Sequence, residues 1–445
     1  MQNILNCVSS FVWGPAMLAL FLFTGLFLTA RTRFFSILHA DIWFKKTIFA
    51  AVTDKSVRKS RDSASISRFQ ALTSALAACL GTGNVIGVAT AISSGGAGSV
   101  FWMWISAVLG MATACCENIL GIKYRVRNKN GNWISGAMMY IERGLGMPWL
   151  SAVFCVLLTG AAFGMGCMTQ ANSAAQALEG YRIPPAITGI VLFAVTFIII
   201  KGGIKRIASF SEKLIPVLSL SFMLGAFIII GKNFRSLPAV FVKIIKEAFT
   251  LKSASGFGLA KAMRYGVARG VFSNEAGLGS SPIIHGASDT DSPAEQGLWG
   301  IAEVFIDTVF MCCVTAAAIL SSGVATAGNS SGELCSLAFE SVFGAAGKAF
   351  ICLSICLFSF STLVAWSHYG KTGINYIRPM KRENLFSSIY CVCAFIGAVA
   401  RLETIWSIAD IFNALMAIPN IFAVLCLSKE AASELNSYKK HIYNK

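Results

Sequence analysis

About eleven long apolar stretches, separated by short polar segments, constrain this chain of 445 residues more than any other feature. As helices, these stretches could cross a hydrocarbon layer of about 30 Å. Charged residues make up 13% of the chain and apolar residues 55%, which excludes a soluble globule, a disordered chain and a small disulfide scaffold. The sequence predicts an all-α polytopic membrane protein with spans at 10–30, 70–93, 98–122, 150–178, 186–201, 213–231, 257–284, 297–322, 347–376, 385–400 and 404–428.

Lysine and arginine lie mainly on one side of these spans. Of the 37 cations, 26 fall in segments that the topology puts on one face, nine of them in the connector 31–68. Cytoplasmic loops carry such an excess, so we expect an inner (cell) membrane protein with an external N-terminus and a cytoplasmic C-terminus. The net charge of +16 is attributed to an anionic leaflet and not to nucleic acid. The cations of 232–264 are an exception, attributed to a surface helix at 237–250.

The N-terminus and the cysteines are both read as membrane features. The run Phe11–Ala30 is longer than the apolar core of a signal peptide and is followed by Arg31 and Arg33, so we expect a first span and no cleaved signal.

The fourteen cysteines contain no C-x-x-C pair, and several lie within apolar runs. We expect them to pack helices and not to bind a metal.

Two spans are interrupted by a glycine-containing polar run. The first contains Gly81-Thr82-Gly83-Asn84 and the second Ser273-Asn274-Glu275-Ala276-Gly277. Each begins a set of five spans, and because five is odd the second set must cross in the opposite sense, as in transporters built from inverted repeats. The expected units are 1–68 (peripheral helix and basic amphipathic connector), 69–231 (first repeat), 232–255 (surface helix), 256–428 (inverted repeat) and 429–445 (cytoplasmic tail).

Each break carries groups suited to a small zwitterion and a coupling ion. An unwound turn at Gly81–Asn84 frees backbone N–H groups for a carboxylate and carbonyls for a cation. The alternative is close helix packing, since Gly83 and Gly87 have the spacing of small-residue interfaces. At the second break Glu275 has an alternative role, as a structural partner of Arg269 or of freed N–H groups.

A third polar locus lies in the span 347–376. Ser361 and Thr362 place two hydroxyl oxygens, hard ligands that suit sodium, in an apolar helix; the alternative is a hydrogen bond to the preceding turn. Trp366 lies one turn beyond Thr362 on the same face, as a pocket wall or, alternatively, towards lipid. Other polar residues within spans, Asp307 foremost, are expected to act mainly as hydrogen-bond partners.

These runs resemble the alanine or glycine:cation symporter family, within the amino acid–polyamine–organocation superfamily, along essentially the whole chain. The run Ser273–Ser280 is the most specific. The resemblance implies a leucine-transporter-like fold with a 5+5 inverted repeat, two discontinuous helices and one peripheral N-terminal helix. Further matching runs are Phe69–Leu72, Gly81–Asn84, Phe101–Trp104, Met139–Glu142 and Asp410–Asn413.

The resemblance also implies the site. Backbone N–H groups of the first break would bind the substrate carboxylate, and the second break would receive the amine. The candidate substrate-binding residues are Gly81, Thr82, Gly83, Asn84, Phe272, Ser273, Asn274 and Trp366. The candidate sodium ligands are the carbonyl groups of Ala77 and Leu80 and the side chains of Ser361 and Thr362.

We therefore expect a sodium-coupled symporter that imports alanine or glycine by alternating access. It would work in the lipid bilayer as a monomer, with no cofactor beyond the coupling ion. One alternative is a proton-coupled amino-acid transporter in which Glu275 or Asp307 titrates. Others are a membrane-embedded enzyme, for which no catalytic motif appears, and a channel, which would need a continuous pore.

Overall fold

The computed structural model describes residues 2–128, 131–251, 258–325, 332–378, 383–400 and 402–443. Within these ranges the chain is almost entirely helical, apart from one short antiparallel hairpin described below. By length and composition, seven of the described helices could cross a membrane, or eight when one bent pair is counted as a span. All eleven predicted spans fall on helices, so the prediction of an all-α polytopic membrane protein is confirmed.

The N-terminal part contains the first span and the connector. The first span is interrupted at Gly14, and Pro15 then opens its longer half, as proline commonly does at a helix start. The connector forms short helical pieces in which Ile42 and Trp43 are buried and Phe44 and Phe49 are exposed. The helices are α1 Gln2–Val12, α2 Pro15–Arg31, α3 Phe35–Leu38, α4 Ala40–Phe44 and α5 Ala50–Thr53, with a π-helical turn at Lys45–Phe49 and a 3₁₀ turn at Lys55–Arg58.

The next group of helices begins at a capping box. The Ser67 hydroxyl accepts the Gln70 N–H at 3.1 Å, and the Gln70 side chain accepts the Ser67 N–H at 3.0 Å. A π-helical turn at Gly164–Met168 connects two of the helices. The elements are α6 Arg68–Cys79, α7 Ile86–Gly95, α8 Gly98–Lys123, β1 Val126–Arg127, β2 Trp133–Ile134, α9 Ala137–Leu145, α10 Pro148–Phe163, α11 Thr169–Glu179, α12 Pro185–Ile200 and α13 Gly203–Lys232; Val126 pairs with Ile134.

The remaining helices include the expected surface helix, which spans Leu237–Phe249. A π-helical segment, Phe305–Cys312, lies in the middle of one span. The helices are α14 Leu237–Phe249, α15 Leu259–Asn274, α16 Ser281–His285, α17 Pro293–Val304, α18 Cys313–Ser321, α19 Leu334–Phe343, α20 Ala345–Ile377, α21 Glu383–Val399, α22 Leu402–Cys426 and α23 Ser428–Tyr443, with a 3₁₀ turn at Phe234–Ser236.

Long-range contacts place one set of helix ends on the same face of the molecule. Ile66, before α6, exchanges backbone hydrogen bonds with Ala287 and Asp289, after α16, at 3.0 and 2.8 Å. Lys123, at the end of α8, pairs with Glu430 of α23 at 3.0 Å. We call this end of the molecule the cation-rich face, because it carries the connector 31–68 and α23. The two broken helices thus run to a common face.

Candidate functional site

The first break separates α6 from α7. Gly81 adopts φ −106° and ψ −140°, Thr82–Asn84 form one 3₁₀ turn, and α7 resumes at Ile86. The axes of the two helices differ by 60°. The polar interruption in the sequence is therefore a true discontinuity of the helix.

The second break lies between α15 and α16 and depends on left-handed backbone. Glu275 has φ 57°, and Gly277 and Gly279 have φ 91° and 76°. Glycine adopts these values freely, whereas an L-residue such as Glu275 is strained there by about 1–3 kcal/mol. The glycines of this run are thus required by the turn that reconnects the two helices.

The N–H groups freed at the second break have a partner that the sequence did not predict. Gly277 and Gly279 donate to the Glu117 carboxylate of α8 at 3.2 and 3.1 Å. Asn420 donates to the same carboxylate at 2.5 Å and itself accepts a hydrogen bond from Tyr140. Glu117 therefore takes the role that was considered for Glu275. Only its position within an apolar span marked it in the sequence.

The two breaks meet at Gly83 and Ser273. A Cβ atom at Gly83 would lie 3.2 Å from the Ser273 Cα and 3.4 Å from its Oγ, closer than most side-chain contacts allow. Gly87, by contrast, has nothing nearer than 3.9 Å. Glycine at 83 therefore permits the close approach of the two chain segments, and the predicted residues Gly83 and Ser273 are brought together.

Asp307 links the two breaks through its side chain. It accepts hydrogen bonds from Asn84 Nδ2 at 2.8 Å and from Ser273 Oγ at 2.8 Å. A third comes from Thr308 Oγ1 at 2.5 Å. The carboxylate is fully buried and lies in the π-helical segment, whose wider turn has no signal in the residue pattern. Asp307 is thus closer to the centre of the site than its expected role implied.

Gln170 of α11 contacts the first break from another side. Its Oε1 accepts the Thr82 N–H at 3.3 Å, and its Nε2 donates to the Met165 carbonyl at 3.1 Å. The Thr82 hydroxyl is buried and has no hydrogen-bond partner in the described part of the chain. One backbone N–H group of the expected carboxylate site is therefore held by a side-chain oxygen.

The expected sodium ligands are brought together in part. Thr362 Oγ1 of α20 donates to the Ala77 carbonyl of α6 at 2.8 Å. Ser361 Oγ donates to the Phe358 carbonyl of its own helix at 2.8 Å, the alternative considered for it. The Leu80 N–H is bonded to the Leu76 carbonyl at 2.6 Å, so α6 continues to this residue before it breaks.

Trp366 is completely buried, and so the lipid-facing alternative is wrong. Its Nε1 donates to Glu275 Oε1 at 2.9 Å, while Ser280 Oγ donates to Glu275 Oε2 at 2.6 Å. The indole packs against Gly166, where an added Cβ would lie 2.3 Å away. Trp366 therefore fixes the carboxylate of the second break and fills space beside the π-helical turn of 164–168.

Arg269 pairs with Asp410 and not with Glu275. Its Nη2 lies 3.0 Å from Asp410 Oδ2, and both side chains are only about an eighth exposed, at 12% and 13%. The guanidinium lies over the rings of Phe272 and Trp406, which stack at 5.2 Å. This cluster, which we call the outer cluster, lies on α15 and α22, one turn before Ser273.

Asn274 faces away from the meeting point of the breaks. Its Oδ1 accepts the Ala276 N–H at 3.0 Å. Its Nδ2 lies 3.9 Å from where a Cβ of Gly110, on α8, would stand. The structure thus places the Asn274 side chain against α8, and its assignment to the substrate site stays a prediction.

A second buried polar network lies between the breaks and the cation-rich face. Glu303 Oε2 is 3.0 Å from His285 Nε2 and accepts Ser281 Oγ at 2.7 Å. The thiol of Cys79, the last residue of α6, lies 3.3 Å from Glu303 Oε1. The thiol of Cys312 lies 3.4 Å from Ser273 Oγ. Each break therefore has a buried thiol beside it.

A cavity of about 560 Å³ includes Ala287, two residues beyond His285, among its lining residues. It lies among the β1–β2 hairpin, α9, the start of α13 and the end of α20. Ser367, the neighbour of Trp366 in the chain, lines it together with His368, Lys371 and Glu142. This cavity is thus on the cation-rich face.

Hydrogen bonds also join the segments before α6 and after α8 to the segment after α16 on that face. Arg125, at the end of α8, donates to the carbonyls of Gly286 and Ser288 at 2.9 and 2.7 Å and also to that of Thr290. Burial lowers the pKa of Arg125 to about 10, which leaves it charged near neutral pH. Asp289 accepts the Arg61 N–H at 2.5 Å. The inner clasp, as we call residues 60–66 with 286–290, fastens α6 to α16.

Comparison with known proteins identifies the family of this chain. Its sequence matches the sodium:alanine symporter family over residues 1–445. It is 37% identical over 447 residues to the sodium/alanine symporter AgcS of Methanococcus maripaludis, covering 98% of this chain and 97% of that protein. It is 34% identical over 444 residues to the probable sodium/glutamine symporter GlnT of Bacillus subtilis, covering 99% of this chain and 91% of that protein.

The fold has a likeness among solved structures. MhsT in complex with L-phenylalanine superposes with a TM-score of 0.60 and 13% identity, covering 83% of this chain and 92% of that one. At this identity the likeness shows the fold alone, and it confirms the leucine-transporter-like architecture with two discontinuous helices. The family match excludes the enzyme alternative. From its sequence match and its fold together, the chain belongs to the sodium:alanine symporter family of integral membrane transporters.

Proposed function

We propose that this protein imports a small neutral amino acid, alanine or glycine, together with sodium across the inner membrane by alternating access. The observation that carries the proposal is the meeting of two broken helices at Gly83 and Ser273, in a chain that belongs to a sodium symporter family. Breaks of this kind place helix-terminal N–H groups and free carbonyls at one point inside a membrane. Such groups suit the two charges of an amino acid.

The substrate carboxylate is assigned to the backbone N–H groups of Gly81, Thr82 and Gly83. In the structure the Thr82 N–H donates to the Gln170 side chain at 3.3 Å, and a carboxylate arriving there would replace that oxygen. Gln170 could then turn its amide nitrogen towards the substrate. Because backbone N–H groups supply the contact, it tolerates different side chains in the substrate.

The amine and the side chain of the substrate are assigned to the second break. The backbone carbonyls of Phe272, Ser273 and Asn274 precede a break, so they lack some of their helical partners. Trp366 limits the size of the substrate in this proposal. Its complete burial beside the second break supports this role.

Sodium is assigned to the carbonyls of Ala77 and Leu80 and the hydroxyls of Ser361 and Thr362. The contact of Thr362 with the Ala77 carbonyl joins α20 to α6 at this point. An ion between them would break that hydrogen bond and take one lone pair from each oxygen. The Ser361 hydroxyl would have to turn away from the Phe358 carbonyl.

The energy available from sodium is sufficient for concentrative uptake. One sodium ion that crosses 100 mV releases about 2.3 kcal/mol, and a tenfold sodium gradient adds about 1.4 kcal/mol. The sum of about 3.7 kcal/mol supports roughly 500-fold accumulation of the amino acid.

Proton coupling is a second candidate, because fully buried carboxylates lie at both breaks. Glu275 lies at the second break, and Asp307 contacts both. Uptake of labelled alanine into proteoliposomes, with sodium and pH gradients imposed separately, distinguishes the two. We expect a sodium gradient alone to drive accumulation. Uptake that follows only the pH gradient would overturn sodium coupling, and absence of alanine and glycine uptake under both would overturn the proposed substrate.

A further inference from the structure

A cationic groove lies on the cation-rich face, between the end of α2 and the C-terminal helix α23. Its volume is about 520 Å³. Four basic side chains line it, namely Arg31, Arg33, Lys429 and Lys440, and no acidic residue does so among the described residues. In the same described ranges none of these four cations forms an ion pair. The groove therefore concentrates positive charge without internal compensation.

The C-terminal helix separates its charges between two faces. Lys429, Ser433 and Lys440 follow the helical period and face the groove, together with Asn436 and Ser437. Glu430 and Glu434 face α8, where both pair with Lys123 at 3.0 and 3.2 Å. The acids of this helix thus pair with a different part of the protein, and Lys429 and Lys440 line the groove without an acidic partner among the residues that the structure describes.

The opposite wall of the groove is a fixed turn at the end of the first span. Arg33 and Phe34 have φ values of 56° and 57°, a conformation uncommon for residues other than glycine. The turn is held by hydrogen bonds from the Arg33 N–H to the Ala30 carbonyl at 3.0 Å and from the Phe34 N–H to the Thr29 carbonyl at 2.7 Å. Arg31 and Arg33 therefore stand on an ordered support and not on a loose tail.

An apolar stripe leads into the groove. Ala30 lines the groove, and the exposed side chains Phe23, Leu26 and Phe27 precede it on the same face of α2. On a membrane span such a stripe faces acyl chains. A free phosphate ion would use only the cations, whereas a phospholipid would use the cations and the stripe together.

We propose that this groove binds the phosphate headgroup of an anionic phospholipid, with an acyl chain along α2. Basic pockets at the ends of membrane helices suit such headgroups because several cations and hydrogen-bond donors surround one phosphate. The bound lipid bridges α2 to α23 and holds the C-terminal helix at the membrane. This inference concerns a site separate from the transport path and does not depend on the substrate.

Native mass spectrometry of the full-length protein, titrated with phosphatidylglycerol or phosphatidylcholine, tests the proposal. We expect the wild-type protein to retain phosphatidylglycerol in preference to phosphatidylcholine. The variant with Arg31→Gln, Arg33→Gln, Lys429→Gln and Lys440→Gln should bind phosphatidylglycerol at least about tenfold more weakly, since each cation near an anionic headgroup contributes about fivefold. The single variant Lys440→Gln should bind phosphatidylglycerol about fivefold more weakly. Because Lys440 is exposed, this variant should fold normally and keeps the test valid if the quadruple variant misfolds.

A matched control removes the same charge elsewhere on the same face. Lys45→Gln, Lys46→Gln, Lys55→Gln and Lys59→Gln also lower the net charge by four, at exposed connector positions outside the groove. This control should keep the wild-type preference. An equal loss of affinity for phosphatidylglycerol in both quadruple variants would show that net charge alone attracts the lipid. That result would overturn the proposed site. Displacement of phosphatidylglycerol by millimolar inorganic phosphate alone would assign the groove to a free anion instead.

Discussion

Gly83 and Ser273 show how the centre of the site depends on single atoms. The backbone of the second break lies where a side chain at residue 83 would stand. The polar side chains around this point, Asp307, Asn84 and Gln170, bond to one another or to the backbone. The main chain therefore provides the contacts assigned to the substrate, and the side chains hold the main chain in place.

Substitution of Gly83 by alanine should weaken substrate binding. The added Cβ lies 3.2 Å from the Ser273 Cα, so the two breaks must move apart. Overpacking of this kind costs about 1–3 kcal/mol, which corresponds to roughly five- to 150-fold in affinity. Gly87→Ala is the matched control, because its nearest neighbour is 3.9 Å away. Calorimetry on the purified variants measures their affinity for the substrate alanine. Equal affinities of Gly83→Ala and Gly87→Ala would contradict this view.

Thr362→Val should raise the sodium concentration that gives half-maximal uptake by at least about tenfold. Valine keeps the shape of threonine and removes the oxygen that contacts the Ala77 carbonyl; a lost hydrogen bond or ligand to a charged group costs about 1.5–3 kcal/mol. Ser361→Ala should have a smaller effect, because the Ser361 hydroxyl is bonded within its own helix. Sodium titrations of alanine uptake measure both. Unchanged sodium dependence in the double variant would remove the assignment.

Trp366→Ala should change which amino acids are accepted. The indole is completely buried, so its removal leaves a space at the second break, and each further CH₂ of a substrate buried there contributes about 0.8 kcal/mol. Valine and leucine should then compete better against labelled alanine, while alanine itself binds less tightly. Trp366→Phe is the control, since it keeps most of the volume and loses only the hydrogen bond to Glu275. If the amino acids inhibit uptake of labelled alanine in the same rank order in all three proteins, Trp366 does not limit the size of the substrate.

At the scale of elements, the broken helices are tied to neighbouring elements on both sides of the site. The outer cluster ties α15 to α22 through Arg269 and Asp410 at 3.0 Å. On the cation-rich face the inner clasp ties the start of α6 to the end of α16. In the alternating access that we propose, each connection would break in turn, because a path opens only where the helices separate.

The outer cluster yields a test of this requirement. Asp410→Asn leaves Arg269 without an anionic partner in a place where both side chains are largely buried, and breaking such a pair costs about 3–5 kcal/mol. The closed arrangement of this end should become rarer, and alanine uptake at saturating substrate should fall at least about tenfold. Lys243→Gln is the control, because its pair with Glu247 is long, at 4.0 Å, and exposed. A wild-type rate in Asp410→Asn would show that the pair does not take part in closure.

The sequence predicted the elements better than their partners. The apolar lengths and the polar, glycine-containing runs act locally, so they located the spans and both breaks. The roles of Glu117, Gln170 and Asp307 depend on contacts between residues far apart in the chain, as from Gln170 to Thr82. The π-helical segment that carries Asp307 has no residue pattern of its own. Arg269 was one of two structural partners considered for Glu275, but tertiary packing pairs it with Asp410.

At the scale of the whole molecule, the charge distribution predicted one basic side, and the structure gathers the connector, the end of α8 and α23 on the same face. That this face is cytoplasmic remains a proposal, and fusions test it. A C-terminal green fluorescent protein should fluoresce, and a C-terminal alkaline phosphatase should be inactive, because the tail stays inside. A C-terminal fluorescent protein that stays dark, together with an active C-terminal phosphatase, would place the C-terminus outside the cell.

The buried thiols beside the breaks have a consequence for labelling chemistry. Cys79 and Cys312 are fully buried, whereas Cys7 and Cys426 are exposed, and all fourteen cysteines are free. A maleimide added to the unmodified protein should react with the exposed pair at once and with the buried pair only when the helices part. Cys79 is the last residue of α6, the helix that the inner clasp fastens to α16. Its alkylation rate would therefore report how often the inner clasp opens. If sodium or alanine stabilises the closed form, its addition should lower the alkylation rate of Cys79. This test needs no engineered cysteine.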